Sequence, residues 1–192
     1  MSTFRTVSTR AELRDFPRQV APAGLLSAAL AVACLALVSA ASAAPEDSAS
    51  AAMEDAEGNS VGTVELTETP HGTLLIINLE NLPEGIHAFH VHETGSCEPP
   101  FTSAGGHFNP TDAKHGMEAP DGMHAGDMPN IYVPASGEVR LEVFNAQLTL
   151  SDELLDDDGA AIVVHAGADD YRSDPAGDAG DRIACGVIKA GP

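Results

Sequence analysis

The 192-residue chain has no tryptophan, and aromatic residues make up only 4% of it, so any core must be built from Val, Ile, Leu and Ala. Cations are equally scarce. Nine Lys and Arg stand against 29 Asp and Glu, a formal charge of −20. Phosphate contacts need clustered cations, so this composition argues against a nucleic-acid binder. It argues equally against docking on anionic lipid. Hydrophobic residues at 43% are nevertheless too many for a disordered acidic chain. No segment sustains a helical period, and no internal repeat is visible. No Gly-rich phosphate cradle follows a strand, and neither G-x-S-x-G nor H-E-x-x-H occurs. What the chain does have is eight histidines, all between His71 and His165.

The N-terminal segment reads as an address rather than a fold. Arg5, Arg10, Arg14 and Arg18 stand against Glu12 and Asp15, an apolar run follows over 20–40, and Ala41-Ser42-Ala43 supplies a small-x-small site. A positive head, an apolar middle and a small-residue cut define a cleavable secretory signal, here residues 1–43. A retained membrane anchor is the competing reading, because the run is long enough to span. Lipid attachment at Cys34 is disfavoured: the preceding residues lack a large aliphatic, and the apolar run continues past it. No stable membrane association is expected once the signal is removed. Cleavage removes four cations and two anions and takes the charge from −20 to −22. Residues 44–51 are small and polar and read as a mobile lead-in, leaving 52–192 as one domain. Two cysteines remain, Cys97 and Cys185. An even pair in an exported chain suggests a disulfide, two buried free thiols being the alternative. A bridge closing nearly ninety residues would contribute about 4–5 kcal/mol in the chain-entropy account.

Within 52–192 the strand signals are short and frequent. They fall at 61–67, 73–79, 86–93, 137–144, 160–165 and 183–188, separated by turn residues such as His71-Gly72 and Leu82-Pro83-Glu84-Gly85. Short strands with turns between them predict an all-β antiparallel sandwich or barrel. Residues 94–130 and 166–182 lack strand character, and structureless segments of that length in a small domain are usually functional.

The histidines lie in or beside those two segments. His90-Val91-His92 sits inside a predicted strand, where alternate residues share a face, so both imidazoles can converge on one ion. One H-x-H is weak alone. His107, His115, His124 and Asp127 follow in the long loop, and His165 ends the apolar strand. Six His and one Asp exceed the needs of one four-coordinate ion and suit two sites, or two sites sharing a ligand. Scattered loop histidines are the bland alternative.

At Gly85-Ile-His-Ala-Phe-His-Val-His-Glu93 the chain resembles the copper/zinc superoxide dismutases. The likeness continues through Thr102-Ser-Ala-Gly-Gly-His-Phe-Asn-Pro110, Lys114-His115-Gly116, His124-Ala-Gly-Asp127 and Val163-Val-His165, and closes at Gly180-Asp-Arg-Ile-Ala-Cys-Gly-Val-Ile188. Ala125-Gly-Asp-Met-Pro-Asn130 and the export signal are similar to the bacterial periplasmic branch. The resemblance implies an eight-stranded Greek-key β-barrel with two long functional loops, a periplasmic location and dismutation of superoxide to O₂ and H₂O₂. It implies one copper per subunit, held by His90, His92, His107 and His165. It implies one structural zinc, held by His107, His115, His124 and Asp127, with His107 bridging and carrying a proton to the product. Asp169 matches a carboxylate tying a copper His to a zinc His. Arg182 matches an arginine beside the open copper face, and Cys97 and Cys185 match the intrasubunit disulfide. A homodimer is compatible with this reading. His87 is expected to be a hydrogen-bonded structural histidine, and Phe101 and Phe108 to pack the loop down. A metal-buffering module on the same barrel is the alternative function, and a sandwich adhesin with incidental metal a third.

The chain departs from the pattern in one respect. Where relatives often carry lysines, its 166–182 loop has Asp169, Asp170, Asp174, Asp178 and Asp181 against Arg172 and Arg182. A strongly negative domain repels an anionic substrate at long range. The expectation is weak steering, or steering moved to cations such as Lys114 and Arg172.

Overall fold

The computed structural model describes residues 48–151 and 154–191. The leader, Cys34 and the expected cleavage site lie outside the described residues. Nine strands occur among the described residues: β1 (Ser48–Asp55), β2 (Ser60–Thr69), β3 (Gly72–Leu79), β4 (Gly85–His87), β5 (Phe89–His92), β6 (Ile131–Val133), β7 (Val139–Asn145), β8 (Ala161–His165) and β9 (Arg182–Ala190). Among the described residues the only helical element is a 3₁₀ turn at Thr102–Ala104.

Seven strands form one antiparallel sheet in the order β5-β8-β9-β1-β2-β3-β7, and β4 pairs with β6. β4 runs directly into β5, and β6 leads into β7 through a turn closed by the Gly137 N–H on the Pro134 carbonyl. The small pair therefore joins the two ends of the large sheet. Counting β4 and β5 as one strand broken at Ala88 gives the eight strands expected, in Greek-key order.

Alternation explains the core. Ala49, Ala51 and Met53 point inward from β1, Val64 and Leu66 from β2, Leu75, Ile77 and Leu79 from β3. The β1–β2 register skips from Met53↔Gly62 to Glu54↔Ser60. At Gly62 a Cβ would lie 2.1 Å from the Asn78 carbonyl oxygen, so only glycine fits the close approach of β2 to β3.

Two expectations are corrected. Ser48–Ala51, read as lead-in, are the first half of β1, which lies between β2 and β9. Ala and Ser have little strand propensity, so pairing on both sides imposes the strand here. The single strand expected over 86–93 changes partner at Ala88, whose N–H donates to the Gly167 carbonyl and whose carbonyl accepts from the His165 N–H. β6 escaped the sequence reading because three residues between Pro129 and Pro134 carry too little pattern.

The outer faces of β5 and β8 are buried as well. Phe89, Val91, Ile162 and Val164 enter the main core. Ala161 and Val163 instead meet Phe101, Ala104 and Cys185 in a second apolar cluster, beneath the loop that follows β5. The Cys97–Cys185 disulfide stitches that loop to β9. Phe101 and Phe108 are both buried, as expected. The face carrying the histidines is thus roofed by loops.

Candidate metal centre

On β5 a period of two sends Phe89 and Val91 into the barrel, leaving His90 and His92 on the opposite face. His165 ends the adjacent strand β8, and His107 enters from the loop, bridged to His92. One ring nitrogen of each strand histidine is committed. His92 Nδ1 lies 3.0 Å from the Gly105 carbonyl oxygen and His165 Nδ1 3.3 Å from that of Gly180. A carbonyl only accepts, so both Nδ1 atoms donate and both Nε2 atoms keep a lone pair. Those two Nε2 atoms face each other at 3.3 Å. His90 Nε2 is 2.7 Å from Asp169 Oδ2. His90 Nδ1 and His107 Nε2 are buried with no hydrogen-bond partner.

Buried polar nitrogens without partners are costly and rare. Here four lone pairs are aimed into one small volume, an arrangement that a bound cation would stabilise. Burial pushes His92 down to about 2, His165 to about 3 and His107 to about 4. These imidazoles are therefore neutral, as ligation requires.

The second group lies on the other side of His107. His107 Nδ1, His115 Nδ1 and His124 Nδ1 stand 2.8, 3.0 and 3.2 Å from Asp127 Oδ1. The other carboxylate oxygen, Oδ2, accepts the backbone N–H groups of Gly116 and His124 at 2.9 and 3.0 Å. Burial alone would raise Asp127, but those bonds hold its carboxyl well below the usual carboxylate range. His115 is the exception among the imidazoles. Burial would lower it, yet Asp127 and Asp169 outweigh that and raise it to about 9.

The donor atoms of His90, His92, His107 and His165 lie within 4.8 Å of one another, and so do those of His107, His115, His124 and Asp127. The structure thus brings together the same side chains that the sequence reading grouped, with His107 in both groups. Asp169 joins them from behind, with Oδ2 on His90 Nε2 and Oδ1 3.0 Å from His115 Nε2. An all-imidazole set suits copper, and a closed His₃Asp set suits a zinc ion that does not change state.

Arg182 stands beside the first group. Its guanidinium donates to the carbonyls of Phe101 and Gly105 at 2.6 and 2.7 Å, and its charge helps to depress His92 and His165. Gly105 thus anchors both Arg182 and His92, from a loop fastened by the disulfide. A depression of about 590 Å³ opens here, with Thr102, Gly180, Asp181 and Arg182 along its wall and no histidine in its lining.

A family model described as copper/zinc superoxide dismutase (SODC) matches residues 60–188. The chain belongs to the copper/zinc superoxide dismutase family. It is 51% identical over 147 residues to "Superoxide dismutase [Cu-Zn] 2" of Aquifex aeolicus, covering 73% of this chain and 86% of that one. Among solved structures, a SOD-like protein from Bacillus subtilis aligns with a TM-score of 0.69 at 39% identity, covering 72% and 96% of the two chains. The Cu/Zn superoxide dismutase from Brucella abortus aligns at 0.63 and 36% identity, covering 74% and 99%. Membership carries the activity with it: the chain is a superoxide dismutase that uses copper and zinc.

The remaining superoxide dismutase expectations divide. His87 is structural, its ring nitrogens 2.8 and 3.0 Å from the carbonyl oxygens of His165 and Pro83. His71 sits exposed at the β2–β3 turn, outside both groups. Of the cations expected to steer the substrate, Lys114 is paired with Asp174 at 2.9 Å and Arg172 with Glu118, all on the exposed surface. Asn145, which no sequence signal marks, ends β7 and donates to the carbonyls of Ala125 and Asp127 at 2.9 and 3.3 Å. It braces the loop that carries the Asp127 carboxylate.

Proposed function

We propose that this superoxide dismutase works in the periplasm, holding copper with His90, His92, His107 and His165 and zinc with His107, His115, His124 and Asp127. The observation that carries this assignment is the convergence of four imidazole lone pairs, two of them buried and partnerless. When bound, copper supplies one-electron chemistry by alternating between Cu(II) and Cu(I), oxidising one superoxide to O₂ and reducing another to H₂O₂ with two protons. The chain's own residues supply the rest. Arg182, fixed by two carbonyls, draws the anion into the depression beside the first group. His107 Nε2 is the atom that takes up a proton and passes it to the reduced substrate, while Nδ1 stays committed to the second group. His115, His124 and Asp127 hold that side rigid.

Export is supported by the signal pattern over 1–43 and by a disulfide, which persists in oxidising compartments. The mature domain then begins by Ser48, the first residue of β1. Fractionation followed by N-terminal sequencing checks both points: recovery with the periplasmic contents, cut after Ala43, is expected, and a cytoplasmic full-length chain contradicts them.

The assignment is tested by superoxide dismutation of the purified mature protein before and after one equivalent each of copper and zinc, with His165→Ala and Arg182→Ala alongside. Activity should require copper, vanish in the first variant and fall in the second. Tight binding of both metals without activity would instead make this chain a metal-buffering module.

A further inference from the structure

Asp169 carries an unusual share of the architecture. Its carboxylate contacts a histidine of each donor set, His90 and His115, without belonging to either set, and it lies on a loop, 166–181, that contains no strand. Something must fix its position, because a carboxylate free to drift would release His90 and His115 together. The zinc-side loop supplies that fixture at Asn130, the residue immediately before β6.

The Asn130 amide grips the backbone of Asp169 in both directions. The Asp169 N–H donates to Asn130 Oδ1 at 2.8 Å, and Asn130 Nδ2 donates to the Asp169 carbonyl at 2.9 Å. Two further bonds close a ring. The Asn130 N–H donates to the Tyr171 phenol oxygen at 2.8 Å, and the Tyr171 N–H donates to Asp169 Oδ1 at 2.6 Å. Tyr171 adopts a left-handed φ of 61°, a conformation a tyrosine keeps only when its surroundings determine it. The Tyr171 carbonyl in turn accepts the Glu118 N–H, returning the circuit to the loop between His115 and His124. Asp169 is therefore set by three bonds to Asn130 and Tyr171 before either histidine is considered.

We propose that Asn130 is a positioning residue of the metal centre: its side-chain amide fixes the backbone of Asp169, and through Asp169 the ring orientation of both His90 and His115. This rests on the metal assignment above and adds to it a prediction about a residue that touches neither donor set. A carboxylate behind a metal-binding histidine fixes its tautomer and orientation, and losing such a partner typically lowers metal affinity ten- to a hundredfold. One step further back, the effect of Asn130→Ala should fall near the lower end. Because Asp169 serves both groups, both metals should respond.

The experiment uses the copper- and zinc-loaded protein. Zinc retention against a competing chelator and the Cu(II) electron paramagnetic resonance spectrum are recorded for the wild type and for Asn130→Ala. The expected result is about tenfold weaker zinc retention together with a shifted copper spectrum, even though the zinc and copper ligands are all intact. Unchanged retention and an unchanged copper spectrum, with only a lower Tm, would reduce Asn130 to a packing role and overturn the proposal. Should the variant not fold, amide exchange in the zinc- and Cu(I)-loaded wild type decides. A protected Asp169 amide is expected, and exchange as fast as an open loop overturns the clamp. Failure of the wild type to hold either metal would contradict the metal assignment itself, a result distinct from both.

Discussion

The two halves of the centre are built by different means. Three of the four copper-side imidazoles stand on strands: His90 and His92 on β5, His165 at the end of β8. All three lie on one face by the two-residue period, and backbone carbonyls and Asp169 orient them. The zinc-side donors stand on no strand. His107, His115, His124 and Asp127 belong to one long loop, and their geometry depends on what braces it. Backbone N–H groups from Gly116 and His124 hold Asp127, Asn145 holds the carbonyls around it, and Asp169 holds His115. Both groups are buried, but the proposed copper group is held by the barrel beside Arg182, whereas the proposed zinc group is held by loop contacts.

If that division holds, substitutions should separate the two halves. The largest effect is expected from His165→Ala, which removes a strand-borne copper ligand outside the zinc group. Activity should drop to the level of the metal-free protein while zinc retention stays near wild type, as metal analysis after dialysis would show. Gly177→Ala should act chiefly through the braced half. A Cβ at Gly177 would lie 1.9 Å from Asp169 Oδ1 and 2.8 Å from His115 Nε2, at a backbone φ of +66°. It should wedge those two groups apart and weaken zinc retention by about ten- to a hundredfold, with a smaller loss of copper. Equal loss of both metals would show that the halves are not separately built.

Arg182→Ala comes next. It leaves all ligands in place, so both metals should bind while kcat/KM falls by about tenfold or more, within the usual range of electrostatic focusing at a charged cleft. The smallest effect concerns long-range charge. With Lys114 and Arg172 paired and the chain at −20, added salt should screen net repulsion and raise the rate modestly. A steep fall with ionic strength would mean that Arg182 dominates at long range as well.

The copper side was also the more legible half in the sequence. His90-Val91-His92 betrays itself because a strand's period is two, and His165 because it closes an apolar run. The loop ligands have no period to reveal their convergence. They could be counted as candidate donors, but their division into two sets came only through resemblance to known motifs. The same contrast runs through the fold. Strands rich in Val, Ile and Leu announced themselves, whereas β1, built of Ala and Ser, becomes a strand only through its two neighbours. The break at Ala88 is a tertiary event, set by Gly167 and His165 from distant parts of the chain. Asn130 and Asn145 were silent because an asparagine before one strand and one ending another look like turn residues. The pairing of Lys114 and Arg172 depends on Asp174 and Glu118 meeting them in space, which charge counting along the chain does not register.

All of this rests on His107 serving both halves, with Nε2 on one side and Nδ1 on the other. The most direct test replaces zinc by Co(II) and records the Cu(II) electron paramagnetic resonance signal. If the imidazole is shared, the two ions couple magnetically through its ring, and the copper signal seen with diamagnetic zinc should largely disappear. A copper signal of full intensity beside bound Co(II) would show two independent sites and contradict the shared histidine.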